Sequence, residues 1–105
     1  MATYVPSMLA FGQLPNVKGD LYTPSGVTKG MIDSILVCNQ NTTAEQVELL
    51  LHDGANEYHL YDVSVGADET AVFPGFVLEN GDKITGNTTT ASKVTYMISG
   101  SERTA

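Results

Sequence analysis

ADETAVFPGFVLENGDKITG, residues 67–86, alternates short apolar runs with turn residues. The acidic turn Ala67-Asp68-Glu69 leads into Thr70-Ala71-Val72-Phe73, which reads as a strand. Pro74-Gly75 breaks or bends that strand, since proline removes a ladder donor and glycine tolerates backbone shapes other residues avoid. Phe76-Val77-Leu78 resumes the extended run, and Glu79-Asn80-Gly81-Asp82 turns the chain into Lys83-Ile84-Thr85. Apolar runs of this length between such turns predict an antiparallel all-β domain.

The same rhythm extends in both directions. Upstream, Asp20-Leu21-Tyr22-Thr23 reads as a short strand ended by the turn Pro24-Ser25-Gly26. Val27 to Asn39 is the longest β-like run, with Met31, Asp33, Ile35 and Val37 alternating with Ile32, Ser34, Leu36 and Cys38. Its second half is apolar on both faces, as in a strand in the middle of a sandwich. Asn39 to Thr43 is a polar loop. Glu45 to His52 admits two readings. Thr43-Ala44-Glu45-Gln46 can open a helix as a capping box, whereas the alternation of Val47, Leu49 and Leu51 with Glu48, Leu50 and His52 favours a strand ending at the hairpin residues Asp53-Gly54. We take the strand. Glu57 to Val65 follows, with Tyr58, Leu60 and Asp62 expected on one face and His59, Tyr61, Val63 and Val65 on the other. Lys93 to Ser99 closes the chain. About eight strands at this spacing predict a β-sandwich or jelly roll.

Residues 1–20 are patterned differently. Pro6 and Pro15 interrupt them, and the apolar residues follow no clean period. They read either as a first edge strand packed on its own domain or as an extended arm that docks on a neighbouring subunit. In the second reading Tyr4, Val5, Met8, Leu9, Phe11 and Leu14 are the candidate partner-binding residues. The expected organisation is an extended N-terminal arm over 1–20, a β-sandwich domain over 21–102 and a frayed tail over 103–105.

Composition bounds the function. The 105 residues make one domain, and 42% hydrophobic content is enough to fill its core. Charged residues make up 16%, against about 25% in an average globular chain, which leaves surface that is either Thr/Asn-rich and solvated or neutral and covered by a partner. Twelve acidic residues against five Lys+Arg give a formal net charge of −7. That charge repels phosphate and anionic lipid, so neither nucleic acid nor a membrane surface is an expected partner. The N-terminus has no basic stretch followed by an apolar core, so no secretory signal is expected and synthesis in the cytoplasm is. Cys38 is the only cysteine. It lies in an apolar run and is expected to be a buried, inert thiol.

Candidate chemistry is sparse. His52 and His59 flank the Asp53-Gly54 turn with Asp62 nearby, so a His/His/Asp metal site is conceivable, but no clear fourth ligand follows. No metal or other cofactor is assigned. A loop calcium site from Asp68, Glu69, Glu79 or Asp82 stays open without the spacing that would argue for it. The carboxylates read as turn chemistry. There is no Trp to line a sugar cleft, no G-x-S-x-G elbow, no phosphate loop and no dinucleotide fingerprint. The aromatics Tyr22, Tyr58, Tyr61, Phe73, Phe76 and Tyr96 fall at strand positions and are expected in the core. No catalytic residue is assigned, and the chain is expected not to be an enzyme.

Several of these motifs occur together elsewhere. Leu21-Tyr22-Thr23-Pro24-Ser25-Gly26, the strand Met31 to Asn39, the turn Leu78-Glu79-Asn80-Gly81-Asp82-Lys83-Ile84 and the ending Val94 to Glu102 resemble a small β-sandwich module of tailed-bacteriophage virion proteins. The resemblance spans about Leu21 to Glu102 and stops before the N-terminal stretch. The chain departs from the module's pattern at Thr23-Pro24, which lacks an intervening Val, and at Lys29-Gly30. The module carries no catalytic residues. It implies a non-enzymatic structural protein of the virion, first of all a capsid decoration (cement) protein that binds the major capsid protein or other virion proteins, as a homo-oligomer and in particular a trimer. A tail, neck or fibre accessory subunit is the alternative, and a carbohydrate-binding module for host attachment a third.

Overall fold

In the structure, a computed structural model, the backbone is described for residues 3–24, 29–79 and 81–104 and the side chains for 8–24, 29–79 and 81–102. Every regular element among them is a strand: β1 (Thr3–Gln13), β2 (Gly19–Tyr22), β3 (Lys29–Asn39), β4 (Glu45–His52), β5 (Glu57–Val65), β6 (Thr70–Pro74), β7 (Val77–Glu79), β8 (Lys83–Thr88) and β9 (Val94–Thr104). All pairings are antiparallel. One sheet, here sheet A, has the order β1-β9-β3-β6, with β7 also pairing β3. The other, sheet B, runs β2-β8-β4-β5.

β6 and β7 lie against the same edge of β3, β6 on Ser34–Cys38 and β7 on Lys29–Met31. They form one strand interrupted at Gly75-Phe76, where the Ile32 amide donates to the Phe76 carbonyl across the gap at 2.8 Å. Counted as one, they leave eight strands that wind between two four-stranded sheets in the order of a jelly roll. The expected bend at Pro74-Gly75 is therefore the break in this edge strand.

Bulges re-aim two strands. In β3 the register against β9 shifts between Ile32 and Ser34, so Asp33 is extra and the inward set becomes Ile32, Ile35, Val37 and Asn39. Strict alternation had placed Ile32 opposite Ile35. In β5, Leu49 faces Tyr61 and Leu50 faces His59, leaving Leu60 unpaired. The faces of β5 therefore switch at Leu60, and His59 shares the outer face with Asp62, not with Tyr61. A one-residue insertion inverts side-chain parity, and hydrophobic alternation alone cannot locate it.

The core lies between the sheets, with Ile35, Val37 and Ile98 from sheet A and Val47, Leu49 and Ile84 from sheet B fully enclosed. Each such side chain contributes about 1.5–3 kcal/mol through burial. Of the aromatics, Tyr22, Phe73 and Tyr96 are buried, Tyr61 and Phe76 pack at the core's margin, and Tyr58 is half-exposed. Tyr61 stacks on Phe73 with ring centroids 4.5 Å apart and donates to the Pro74 carbonyl, closing the sandwich between β5 and β6. Tyr22 of sheet B donates to Glu102 of sheet A. Burial and that carboxylate together push the phenol's pKa well up.

Of the two readings of the N-terminal stretch, the fold takes the first edge strand. β1 pairs with β9 from Thr3 to Gln13. The chain then crosses between the sheets, Leu14 donating to Val94 and Pro15 accepting from Thr88. β2 starts at Gly19 and β9 reaches Thr104, so neither residue 20 nor residue 103 marks a boundary. Ala105 lies outside the described residues, as do Ser25 and Gly26 of the expected Pro24 turn.

A buried polar network, invisible in the sequence pattern, ties one end of the sandwich together. The Asn39 amide donates to the carbonyls of Thr43, Val65 and Gly66, and its Oδ1 accepts from the Asn41 amide. Asn41 in turn donates to Glu45, which also accepts from Thr88 Oγ1 and the Thr90 amide. Burial alone pushes the Glu45 pKa up, but the donors from Thr90, Asn41 and Thr88 outweigh it and hold the carboxyl below its ordinary range. A pKa lowered by folding stabilises the fold above the unfolded-state value of about 4.3, and the contribution is lost as pH falls through the lowered folded value. Urea unfolding is therefore expected to show stability declining below about pH 5. Glu45→Gln is expected to flatten that decline and to cost about 1.5–3 kcal/mol at neutral pH.

Candidate interface on the outer face of sheet A

The outward side chains of sheet A fall into rows set by strand register. One row runs Phe11–Met97–Leu36–Val72, a second Met8–Ser99–Ser34–Pro74 and a third Gln13–Thr95–Cys38–Thr70. None of these twelve residues is Asp, Glu, Lys, Arg or His. Apolar side chains stand in solvent here: Phe11 is 68% exposed, Val72 61% and Met8 52%. Ser34 and Ser99 share a hydroxyl hydrogen bond at 3.2 Å, which removes part of the face's remaining polarity. Asp33 of the bulge borders this patch, and beyond it Met31 and the exposed Val77 continue the apolar run to the Lys29–Glu79 ion pair.

The outer face of sheet B is the opposite in character. Its rows carry Lys83, His52 and Glu57, then Asp20, Thr85, Leu50 and His59, then Asn87, Glu48 and Asp62. Lys83 pairs with Asp20 at 3.0 Å, Lys18 with Glu57 at 3.1 Å and His59 with Glu48 at 3.3 Å. The sandwich thus presents one charged face and one whose central rows are uncharged and partly apolar, bordered by Asp33 and the Lys29–Glu79 pair. A cluster of exposed apolar side chains on one side of a small protein marks a contact surface, where scattered single ones do not.

The structure sorts the six residues picked from the N-terminal stretch. Met8 and Phe11 are exposed, Phe11 in the apolar row. Leu14 is fully buried and Leu9 packs on the core, so neither is free to bind a partner. Tyr4 and Val5 belong to β1 opposite Arg103 and Glu102, and their side chains lie outside the described residues. The sequence reading missed Val72, Leu36 and Met97, which join Phe11 only through strand pairing across 86 positions of chain, from 11 to 97. Cys38 differs from expectation too. It is half-buried on this outer face, because the parity that sends Val37 and Asn39 inward sends Cys38 outward.

The other candidates resolve into turn chemistry. Asp53 accepts from the amides of Asn56 and Ala55, which hold its carboxyl below the usual range. Asp82 accepts from the Glu79 amide. His52 uses Nδ1 to accept from the Gly54 amide. Among the described residues, the metal-capable side chains that converge are Glu48, His59 and Asp62, and no pocket opens in the surface they form. Among the described residues, no helix is long and apolar enough to cross a membrane.

No protein-family model matches the chain, and no curated sequence matches it. The class defined by the fold is an antiparallel jelly-roll β-sandwich.

Proposed function

We propose that this is a non-enzymatic virion structural protein that docks on a phage particle through the outer face of sheet A, acting as a capsid decoration protein. The observation that carries the docking is the asymmetry of the sandwich, with uncharged rows around Phe11, Met97, Leu36 and Val72 on one side and the Lys83–Asp20, Lys18–Glu57 and His59–Glu48 contacts on the other. Binding energy comes from apolar area removed from water at about 25 cal/mol per Å² and from strand edges. β1 and β6–β7 leave backbone groups unpaired on the two sides of this face, and edge pairing is a recurrent mode of assembly. The virion assignment rests on the resemblance over Leu21–Glu102. A closed homo-oligomer, a trimer first, would cover the β1 and β6–β7 edges.

The test is stoichiometry in the purified source particle, measured by quantitative mass spectrometry against the major capsid protein. A decoration role predicts a copy number in fixed proportion to the capsid protein. A few copies per particle would instead select the tail, neck or fibre alternative. Absence from the particle with binding on a glycan array would select the carbohydrate module.

A further inference from the structure

We propose that Glu48, His59 and Asp62 on the outer face of sheet B form a site for a single zinc-class divalent ion. Their ligand atoms, one imidazole nitrogen and two carboxylate oxygens, lie within 4.8 Å of one another. The fold builds this convergence. Glu48 comes from β4 and faces Asp62 directly across the strand pair, whereas His59 comes from a position that regular alternation would turn inward. The extra residue Leu60 rotates His59 onto the outer face, so that residues three apart in one strand share a side. Bulges recur where a strand must re-aim a side chain.

Two further observations point to a cation. Asn87, the other cross-strand neighbour of Glu48 on β8, keeps its Oδ1 shielded from solvent with no hydrogen-bond partner. Buried acceptors are almost always satisfied, and an orphan one invites an ion or a bridging group. The site also lies on a chain of net charge −7, and an imidazole nitrogen of His59 stands 3.3 Å from a Glu48 carboxylate oxygen. A metal would replace a weak, exposed contact of the imidazole with a coordinate bond.

The donor set selects the metal class. Calcium and magnesium take six or more oxygens or an octahedral water shell, and do not favour imidazole. One nitrogen and two carboxylates suit zinc, which binds three protein ligands and leaves one position for water or an outside donor. The site lies on the opposite side of the sandwich from the proposed docking face, so its occupancy and particle binding are separable. His52 is not part of it, since its Nδ1 is taken by the Gly54 amide.

The test is isothermal titration of the whole purified chain with zinc chloride, followed by thermal unfolding with and without zinc. One equivalent is expected to bind, with the melting temperature rising as zinc increases. His59→Ala and Asp62→Asn, both at exposed positions, are each expected to weaken binding at least about tenfold, while His52→Ala leaves it unchanged. Magnesium at the same concentration is expected to give no shift. Absence of zinc binding to the wild-type chain overturns the proposal, as does binding that His59→Ala leaves intact.

Discussion

Gly75→Ala is expected to cost more than about 4 kcal/mol of stability, placing it in the exceptional tail of single substitutions. A Cβ at Gly75 would sit 1.6 Å from the Ile32 carbonyl oxygen and 2.6 Å from that of Asp33. Both contacts are with backbone, so no rotamer change relieves them, and either β3 or the β6–β7 edge must move. β3 has no room to move, because on its other side Gly100 stands where a Cβ would lie 2.0 Å from the Met31 carbonyl oxygen. The Asp33 bulge is thus clasped by a glycine on each neighbouring strand. In a domain whose total stability is about 5–15 kcal/mol, such a loss leaves a large unfolded fraction. Chemical denaturation checks it, with Gly12→Ala as control. There the atoms nearest to a Cβ belong to the Tyr96 side chain, from 3.4 Å, which is ordinary contact, and the expected change is within about 1 kcal/mol. A Gly75→Ala midpoint close to wild type would mean that the edge is looser than the structure shows.

Asn39→Asp is expected to cost about 3–5 kcal/mol although it changes one group of nearly the same size. Asn39 is fully buried, and its amide nitrogen serves the carbonyls of Thr43, Val65 and Gly66 at 3.0, 3.0 and 3.2 Å. Aspartate removes those donors and points a negative group at three carbonyl oxygens with no cation to offset it. The residue either stays charged and is repelled, or takes up a proton and donates to only one carbonyl. Stability of this variant is therefore expected to improve towards acid pH, the reverse of the wild-type trend set by Glu45. Denaturation at about pH 7 and pH 4 separates the two behaviours. A variant as stable as wild type at neutral pH would remove the network from the account.

Much of the fold was legible because its signals are local. The Asp53-Gly54 turn, the Glu79–Asp82 turn and the Pro74-Gly75 break are carried by residues whose backbone preferences act where they stand. Gly54 and Gly81 both adopt φ of +96°. The strand reading of Glu45–His52 prevailed over a capping box for a similar reason, since Val47, Leu49 and Leu51 alternate with the period of a pleated strand. Illegible were features that depend on what lies opposite. Asp33 and Leu60 look like ordinary strand residues until the partner strand shows that each is unpaired, and with them the faces of His59 and Ile32 were misassigned. Glu45 reads in the sequence only as the start of a strand or of a capping box, and its burial depends on Asn41, Thr88 and Thr90, which close over it from other parts of the chain. The N-terminal stretch looked like an arm because Pro6 and Pro15 break its pattern. Both prolines are tolerated, Pro6 in an edge strand and Pro15 at the crossing between sheets.

The interface was half legible. Met8 and Phe11 were picked for their apolarity in a stretch with no evident core period, and they are exposed. Leu14 was picked on the same ground and is core. Composition predicted neutral surface, since only 16% of residues are charged, but not where it lies. That required register, which gathers Phe11, Met97, Leu36 and Val72 from four strands into one row.

Removal of residues 2–15 does not test docking, because it strips an edge strand and the buried Leu14 together. The direct measurement is incorporation of a folded surface variant into particles. Phe11→Lys with Val72→Lys places two charges in the apolar row at exposed positions, where each substitution is expected to change stability by no more than about 0.5 kcal/mol. Burying those charges at a contact carries a large desolvation cost. Ser64→Lys, on the outer face of sheet B, serves as the matched control. Particles assembled with the double variant are expected to lack the protein, while wild type and Ser64→Lys are incorporated in equal amount. Full incorporation of a folded Phe11→Lys, Val72→Lys chain would contradict it.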